Sequence, residues 1–400
     1  MHFTSLSTLL STLSLSSLLT VPLATAQLIT SDTHSFGGVN YPLLQYLDPP
    51  YRDEAIRAIV KSKARVIRLF IRPDTHHSDP EPQIGEFDKS LLDQLDDALA
   101  AIHRISNGTV KVILAPHDAR ALRGTEGVPC DAYCEKIGGA FLDFYSSEEI
   151  RKLYKTRLDV FFKHYPSKNF RGRSWSTLSE VILGVDVQHA PFTPIFPIPA
   201  GESWLCDMAT HLSSSLALKK SNIAVISGGV SGHMSSPDDI RNMPDSVWGF
   251  EEWEYVDAEG GVERKREDIY DQGMALNLRG VPWLYSHLSP RPADNTSRIN
   301  PLPASQPSNA SLTTSTSADA SAFSALAHLL RRAHTARSTF DWTRFLPAPA
   351  VPLAPLSLKE IPLNPGVMHD AHTASRPPVP QQRLCRAAGW TTRPDGGAMR

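Results

Sequence analysis

The sequence lacks an excess of charge of either sign. Its 400 residues include 40 Lys and Arg against 42 Asp and Glu, so the formal net charge is −2 at pH 7. Proteins that bind nucleic acid or anionic membranes through their overall charge carry a clear excess of basic residues. The balance excludes that mode of binding, and we expect neither a nucleic-acid nor a membrane partner.

Long apolar runs are also scarce. The one candidate, residues 9–23, is rich in Leu and Ser, has no charged side chain, and is followed by Ala24, Thr25 and Ala26. This small-x-small ending is typical of a secretory signal peptide. A membrane anchor is the alternative, but the stretch is short for a span and is diluted by hydroxyl groups. We therefore expect a signal peptide over residues 1–26 and a secreted, extracellular protein.

Cysteine is rare. The four cysteines are Cys130, Cys134, Cys206 and Cys385. Export makes disulfides possible, and Cys130 and Cys134 could close a small loop, although pairing cannot be deduced from sequence. Three N-glycosylation sequons are consistent with export; they begin at Asn107, Asn295 and Asn309.

A glycine-rich phosphate-binding fingerprint is missing after the first predicted strand. Instead, short runs rich in Val and Ile alternate with amphipathic helical patterns. The predicted strands are residues 36–41, 65–71, 110–116, 180–187, 223–229, 246–253 and 281–288. Nearly continuous apolar character is typical of buried parallel strands. The alternation predicts an α/β fold of the (β/α)8 TIM-barrel type. A doubly wound open sheet is the alternative, and the missing fingerprint argues against it.

The number of predicted strands is seven rather than eight. Only 16 residues, 230–245, connect the fifth and sixth predicted strands, which is room for one crossover but not for two crossovers and a strand. The sequence therefore predicts a barrel that lacks one β/α unit, formed by residues 27–346. Residues 347–400 are rich in Pro without a pattern and are predicted to be a mostly disordered tail.

The C-terminal ends of barrel strands are where such folds place their chemistry. Here they carry polar and aromatic side chains, namely Asn40, Tyr41, Arg68, Arg72, His117, Asp118, His189, Glu251, Glu252, Trp253, Trp283 and Tyr285. Aromatic faces stack on pyranose rings, and polar groups hold their hydroxyls. The combination predicts a carbohydrate-binding site. The loop "DTHHSD" at 74–79 is an alternative metal site, but adjacent histidines in a polar loop are usually solvated, and we expect neither metal nor cofactor.

Ten short segments occur in the order found in one enzyme family. They are "GVNY", "VIRLFIRP", "VILAPHDA", "CDAYC", "WSTLSEVILGVDVQ", "ESWLCDMA", "ISGGVSG", "FEEWEYV", "GVPWLY" and "FDW". On these segments the sequence resembles glycoside hydrolase family 5, especially its secreted endo-β-mannanase-like and cellulase-like members. The resemblance implies a monomeric protein that acts on β-1,4-linked mannan or glucan. It also implies a retaining mechanism, with two glutamates about 5 Å apart.

The resemblance assigns roles to strand-end residues. Glu252, in "FEEW", matches the nucleophile, and Arg68 matches the arginine that holds the nucleophile carboxylate, so we expect an ion pair between them. The remaining residues assigned to substrate binding are Asn40, His117, His189, Trp253, Trp283 and Tyr285. Two positions depart from the family, since Glu254 replaces a Gly and Ser286 replaces a Trp.

The general acid is absent from its expected place in "GVDVQHAP", residues 184–191. The family has Asn followed by Glu, whereas this chain has His189 and Ala190. Ala cannot protonate a leaving oxygen, and Asp186 would lie roughly 13 Å deeper along the strand. Loss of a general acid typically costs about 10²–10⁴-fold in rate. Three hypotheses follow: a hydrolase with doubtful or residual activity, a non-catalytic carbohydrate binder, and a damaged or mis-spliced product.

The signal peptide generates a first prediction. Cleavage after Ala26 should leave Gln27 as the mature N-terminus, because signal peptidase cuts after a small-x-small sequence. N-terminal sequencing of protein recovered from the culture medium tests this, and secreted protein that still begins at Met1 would contradict it.

Overall fold

The computed structural model describes residues 34–125, 127–191, 199–228, 230–231, 251–253, 273–274, 277, 282–285, 317–336, 338, 342, 345–346, 391–392 and 398–399. The predicted signal peptide lies outside these residues, as does most of the predicted tail. Within the tail, two short strands, β9 (Thr391–Thr392) and β10 (Ala398–Met399), form an antiparallel pair.

Parallel strands form the main sheet. They are β1 (Gly37–Asn40), β2 (Val66–Phe70), β3 (Lys111–Ala115), β4 (Ile182–Asp186), β5 (Ala224–Ile226), β6 (Val230–Ser231), β7 (Glu251–Trp253) and β8 (Trp283–Tyr285). Their order in the sheet is β5-β4-β3-β2-β1-β8-β7-β6, and every neighbouring pair is parallel. Each of the seven predicted strands coincides with one of these strands. The prediction of a parallel α/β barrel is therefore confirmed.

One stretch of chain forms both edges of this sheet. Strand β5 pairs with β4 at one edge, and β6 pairs with β7 at the other edge. Only residues 227–229 separate the two strands, so the edges lie at most about 14 Å apart. The sheet must curl round on itself to bring its edges this close. The described strands thus come from seven stretches of chain, which agrees with a barrel one unit short of eight.

Helices cover the outside of the sheet. They are α1 (Pro49–Ser62), α2 (Lys89–Ser106), α3 (Ala132–Ile137), α4 (Asp143–Ser146), α5 (Glu148–Asp159), α6 (Pro199–Thr210) and α7 (Ser317–Ala333). Helices α5 and α6 each continue into a π turn, over Val160–His164 and His211–Ser215. None of the helices in the described ranges is long and apolar enough to cross a membrane.

Side-chain caps fix where several helices begin. Asp88 accepts a hydrogen bond from the Ser90 amide at 2.8 Å at the start of α2, and Asp131 accepts one from the Cys134 amide at 2.8 Å at the start of α3. The cap of α5 is Ser147, whose hydroxyl accepts a hydrogen bond from the Ile150 amide at 3.4 Å. Such caps satisfy amides that have no partner within the helix.

Two apolar layers stabilise the fold. The larger lies between strands and helices and includes an apolar stripe of α2, namely Leu92, Leu95, Leu99 and Ile102. The smaller cluster fills the inside of the curled sheet and consists of Phe36, Val66, Ile113, Leu183, Ala224, Ile226, Leu284, Trp342, Phe345 and Leu346. Trp342 meets Phe36 edge to face at 5.1 Å and so contributes to the barrel interior.

A disulfide joins Cys130 and Cys134. It closes the small loop that leads into α3, as the spacing of the two residues suggested.

His334 is buried just after α7. Its Nε2 donates a hydrogen bond to the Lys63 carbonyl at 3.0 Å, so the proton of the neutral ring lies on Nε2. The pKa of His334 is lowered from 6.5 to about 4, mainly by burial and to a smaller extent by the charges of Arg65 and Lys63, while the hydrogen bond to the Lys63 carbonyl opposes the shift. The folded state therefore binds fewer protons than the unfolded state between these two pH values.

This shift predicts a pH-dependent stability. The contribution of neutral His334 is fully present above pH 6.5 and should be lost as the pH falls towards 4, by up to about 3 kcal/mol. The free energy of unfolding, measured with urea at pH 7 and pH 4.5, should therefore fall less in His334→Gln than in the parent protein. The Gln amide can still donate to the Lys63 carbonyl but does not titrate. Equal losses in the two proteins would contradict this account of His334.

Candidate functional site

A fully buried ion pair inside the sheet joins β2 to β4. Arg68 Nε lies 2.9 Å from Asp186 Oδ2, and both side chains are fully buried. The same guanidinium donates through Nη2 to the Gly228 carbonyl at 3.1 Å. Arg68 thus connects β2, β4 and the chain after β5 at the centre of the barrel.

Asp118 forms a second polar centre at the C-terminal ends of β2, β3 and β4. Its Oδ2 accepts from Arg72 Nη1 at 2.8 Å and from Arg120 Nη2 at 3.0 Å, and it lies 3.1 Å from His189 Nδ1. Burial alone would raise the pKa of Asp118, but His189 and the two arginines outweigh it and hold that pKa well below its usual value. Asp118 is therefore an anion at neutral pH, held at the barrel mouth by these three partners.

The face to which side chains point changes where β3 and β4 end. Asp118 and His189 form an isolated parallel bridge beyond the two strands, with the His189 amide donating to the His117 carbonyl at 2.8 Å. Strict alternation from Ile113 would put His117 inside the barrel. Regular pairing stops at Ala115, however, so Asp118 contacts the mouth residues and His117 turns towards the helices.

His117 lies in a structural network rather than at the open mouth. Its Nε2 is 2.7 Å from Asp131 Oδ2, and its Nδ1 is 2.9 Å from Gln188 Nε2. The imidazole also stacks on Phe144, with the ring centres 4.9 Å apart. Both ring nitrogens are engaged and the residue is 1% exposed, so this conformation leaves no atom of His117 for a sugar.

Ala190 stands where the family resemblance places the general acid, and its backbone is constrained. Its φ is +46°, a left-handed value that is unfavourable for L-residues, and its amide donates to the Gly228 carbonyl at 3.3 Å. Gly228 has φ +104°, and a Cβ there would lie 1.5 Å from the Gln188 carbonyl oxygen. The close approach of β5 to the end of β4 thus requires glycine at position 228.

The aromatic residues of β8 pack on the helix side of the sheet. Trp283 is fully buried, and its Nε1 donates to Asn277 Oδ1 at 2.8 Å. Leu284 instead fills the barrel interior, and strand alternation then turns Trp283 and the half-buried Tyr285 outward. The structure therefore places Trp283 away from the groove that the sequence assigned to it. Asn40, at the end of β1, is also fully buried.

Glu252 lies on β7, as predicted for the nucleophile. The backbone pairs Glu252 with Ser231 on one side and with Leu284 on the other, and Trp253 with Tyr285. The side chains of this strand lie outside the described atoms. The ion pair between Arg68 and Glu252 therefore stays a prediction, as do the roles of the other site residues.

Asp186 and Gln188 are two buried polar residues near the site to which the sequence assigned no role. Asp186 neutralises Arg68, and Gln188 links His117 to the Tyr145 hydroxyl at 2.9 Å. An even step from the acid position pointed to an inward Asp186, but its partner could be found only from the packing. In the described part of the chain no group of three or more His, Cys, Asp or Glu side chains could hold a metal ion; His77 of the "DTHHSD" loop instead lies 2.9 Å from Asp74.

Solved structures of two mannan- or mannoside-degrading enzymes have a fold similar to that of this chain. A glycoside hydrolase family 5 mannosidase from Rhizomucor miehei, solved with mannosyl-fructose, matches with a TM-score of 0.53 and 13% identity over 78% of this chain and 98% of that one. The endo-β-1,4-mannanase from Thermotoga petrophila matches with a TM-score of 0.50 and 12% identity over 77% and 78% of the two chains. No family model matches the sequence, and no curated protein is significantly similar to it. At these identities the likeness establishes a fold of the family 5 type.

Gly228 generates a prediction about the site. Gly228→Ala should destabilise the fold by about 3 kcal/mol or more beyond a matched control, since the new Cβ must displace the Gln188 carbonyl and with it the contacts of Ala190 and Arg68. The control is Gly172→Ala, which has φ +74° and open space around the position of a Cβ. It should cost only about 1–2 kcal/mol. Urea unfolding of both variants measures the difference, and equal costs would contradict the close approach at Gly228.

Proposed function

We propose that this chain is a secreted glycoside hydrolase-like protein that binds β-1,4-linked mannan or glucan and has Glu252 as the nucleophile of a retaining mechanism. The observation that carries the proposal is the position of Glu252 on β7 in a fold like that of the family 5 mannosidase. That enzyme and the endo-β-1,4-mannanase from Thermotoga petrophila are named for mannose-containing substrates. Carbohydrate is accordingly the partner we propose.

The absent acid limits the chemistry that this site can support. Ala190 carries no proton, so a poor leaving group such as a sugar hydroxyl would leave unassisted. An activated aryl leaving group needs little protonation, so formation of the covalent glycosyl-enzyme would depend mainly on the nucleophile. The residue that Ala190 replaces would also have activated water in the second step, so hydrolysis of that intermediate would be slow as well. We therefore propose slow cleavage of polymers and, for aryl glycosides, fast release of one aryl group per protein molecule followed by slow turnover.

A non-catalytic carbohydrate binder is the second candidate. The burial of the assigned residues favours it, because Asn40, Arg68, His189 and Trp283 are each at most 1% exposed. A sugar could reach them only if the mouth opened. In this candidate the glycan binds on the outer rim of the barrel, and no bond is broken.

Restoring the family pair tests the proposal. The double variant His189→Asn with Ala190→Glu should raise polymer hydrolysis by less than about tenfold, far below the 10²–10⁴-fold that a well-placed acid provides. Two features limit the gain: position 190 is buried with φ +46°, and removing His189 takes a partner from Asp118. The measurement is kcat/KM on mannan, on glucan and on an activated aryl β-glycoside.

Glu252→Gln is the control and should abolish aryl glycoside cleavage, because it removes the nucleophile. A hundredfold rescue on polymer would show that the mouth accepts an acid without distortion and would overturn this account. Binding of polymer by a parent protein that cleaves no aryl glycoside would support the non-catalytic candidate.

A further inference from the structure

We infer that Asn107 is an N-glycosylation site and carries a glycan at the end of the barrel opposite to the mouth. The inference rests on one part of the proposed function, secretion, and goes beyond it by assigning a covalent modification to one residue. Asn107 begins a sequon whose three residues all lie within the described ranges, whereas Asn295 and Asn309 lie outside them.

The sequon forms the turn that ends α2. Asn107 is the C-cap of this helix, with φ 51° and ψ 42°, and Gly108 follows with φ 71°. Gly and Asn adopt such left-handed values at the lowest cost. The Gly108 amide donates to the His103 carbonyl and the Thr109 amide to the Ser106 carbonyl, both at 3.1 Å. Backbone hydrogen bonds therefore close the turn, and they do not need the Asn107 side chain.

The Asn107 side chain is available for modification. Asn107 and Thr109 are both exposed, and within the described residues the Asn107 carboxamide makes no hydrogen bond. The Thr109 hydroxyl is held beside it, since it donates to the Ser106 carbonyl at 2.7 Å. An N-glycan is bulky and solvated, so its acceptor must lie at the surface of the folded protein. Asn107 meets this requirement without any change of the backbone.

The transfer needs a donor from the export pathway, an oligosaccharide linked to a polyprenyl diphosphate. Nδ2 of Asn107 attacks C1 of the first sugar and forms an N–C bond, while the bond from C1 to the diphosphate oxygen breaks. The polyprenyl diphosphate leaves with the electron pair of that bond, and one Nδ2 proton passes to a base of the transferase. The step needs no oxidant or reductant. Thr109 completes the sequon that the transferase recognises.

The glycan would lie away from the proposed carbohydrate site. Asn107 comes just before β3, whereas the Asp118 cluster follows the C-terminal end of the same strand. The five residues of β3 alone span roughly 13 Å at about 3.3 Å per residue. Barrels of this type place their chemistry at the C-terminal ends of the strands. A glycan on Asn107 is therefore compatible with an open mouth.

Peptide mapping of the full-length protein secreted from a eukaryotic host tests the inference. A peptide N-glycosidase converts a glycosylated Asn to Asp and, in heavy-oxygen water, labels the new carboxylate. The same incubation without the enzyme is the control for spontaneous deamidation of the Asn107–Gly108 pair. We expect the label on Asn107 only after enzyme treatment, and the intact glycopeptide before it. Secreted protein with an unmodified Asn107 would overturn the inference.

Two variants separate the sequon from the turn. Asn107→Gly removes the acceptor and keeps a residue that favours the left-handed C-cap of α2. Thr109→Ser is the matched control, because it keeps the sequon and a hydroxyl that can donate to the Ser106 carbonyl. The intact mass of Asn107→Gly should be lower by one glycan, and that of Thr109→Ser should retain it. Equal glycan mass in Asn107→Gly and the parent would contradict the assignment.

The assays distinguish failure of this inference from failure of the proposed function. Protein that reaches the medium without a glycan on Asn107 would overturn the modification and leave the proposed function standing. Protein that stays inside the cell would overturn secretion and the modification together, while the aryl glycoside and polymer assays decide the remainder of the proposed function. Secreted Asn107→Gly should match the parent in those assays, and a loss of activity or binding in this variant would overturn the placement of the glycan away from the mouth.

Discussion

The arrangement of the strands around the barrel centre depends on one fully buried arginine, Arg68. An unpaired guanidinium inside a protein is too costly to retain, so Arg68 needs an anion close by. Asp186 supplies it at 2.9 Å, and the Gly228 carbonyl accepts from the same group at 3.1 Å. Removing one partner of such a pair typically costs about 3–5 kcal/mol, because the other charge is left buried and alone. The pair therefore holds β2, β4 and the chain after β5 in one arrangement.

A similar arrangement with the charges exchanged lies at the barrel mouth, where basic side chains surround a buried carboxylate. Asp118 is the buried anion there, and Arg72, Arg120 and His189 surround it. His189 stands where the family 5 resemblance places an Asn, and its ring contacts Asp118. Ala190 beside it has no proton to donate to a leaving group. The charges at the mouth thus serve mainly to neutralise one another. This is the physical basis for proposing weak hydrolysis together with carbohydrate binding.

The strands could be predicted from sequence because each buried strand is a continuous apolar run. The short spacing made a Cys130–Cys134 disulfide possible without deciding it, and Arg68 was singled out through the family resemblance of its segment. The direction of His117 and Asp118 could not be predicted, because the regular alternation of side chains stops where β3 ends, at Ala115. The direction of Trp283 was also not predicted: its ring packs on the helix side of β8. The partner of Arg68 could not be predicted either, because Asp186 lies 118 positions away in the chain and only the folded sheet brings the two residues together.

The central claim is that Glu252 remains a competent nucleophile although the acid has been lost. A 2-deoxy-2-fluoro glycosyl fluoride tests it most directly, because fluoride leaves without protonation and the fluorine slows hydrolysis of the covalent intermediate. Incubation with the manno and gluco reagents, followed by intact-mass and peptide mass spectrometry, should show one bound fluorosugar on Glu252. Its absence in Glu252→Gln would confirm the assignment. An unlabelled parent protein, or a label on another residue, would contradict the account.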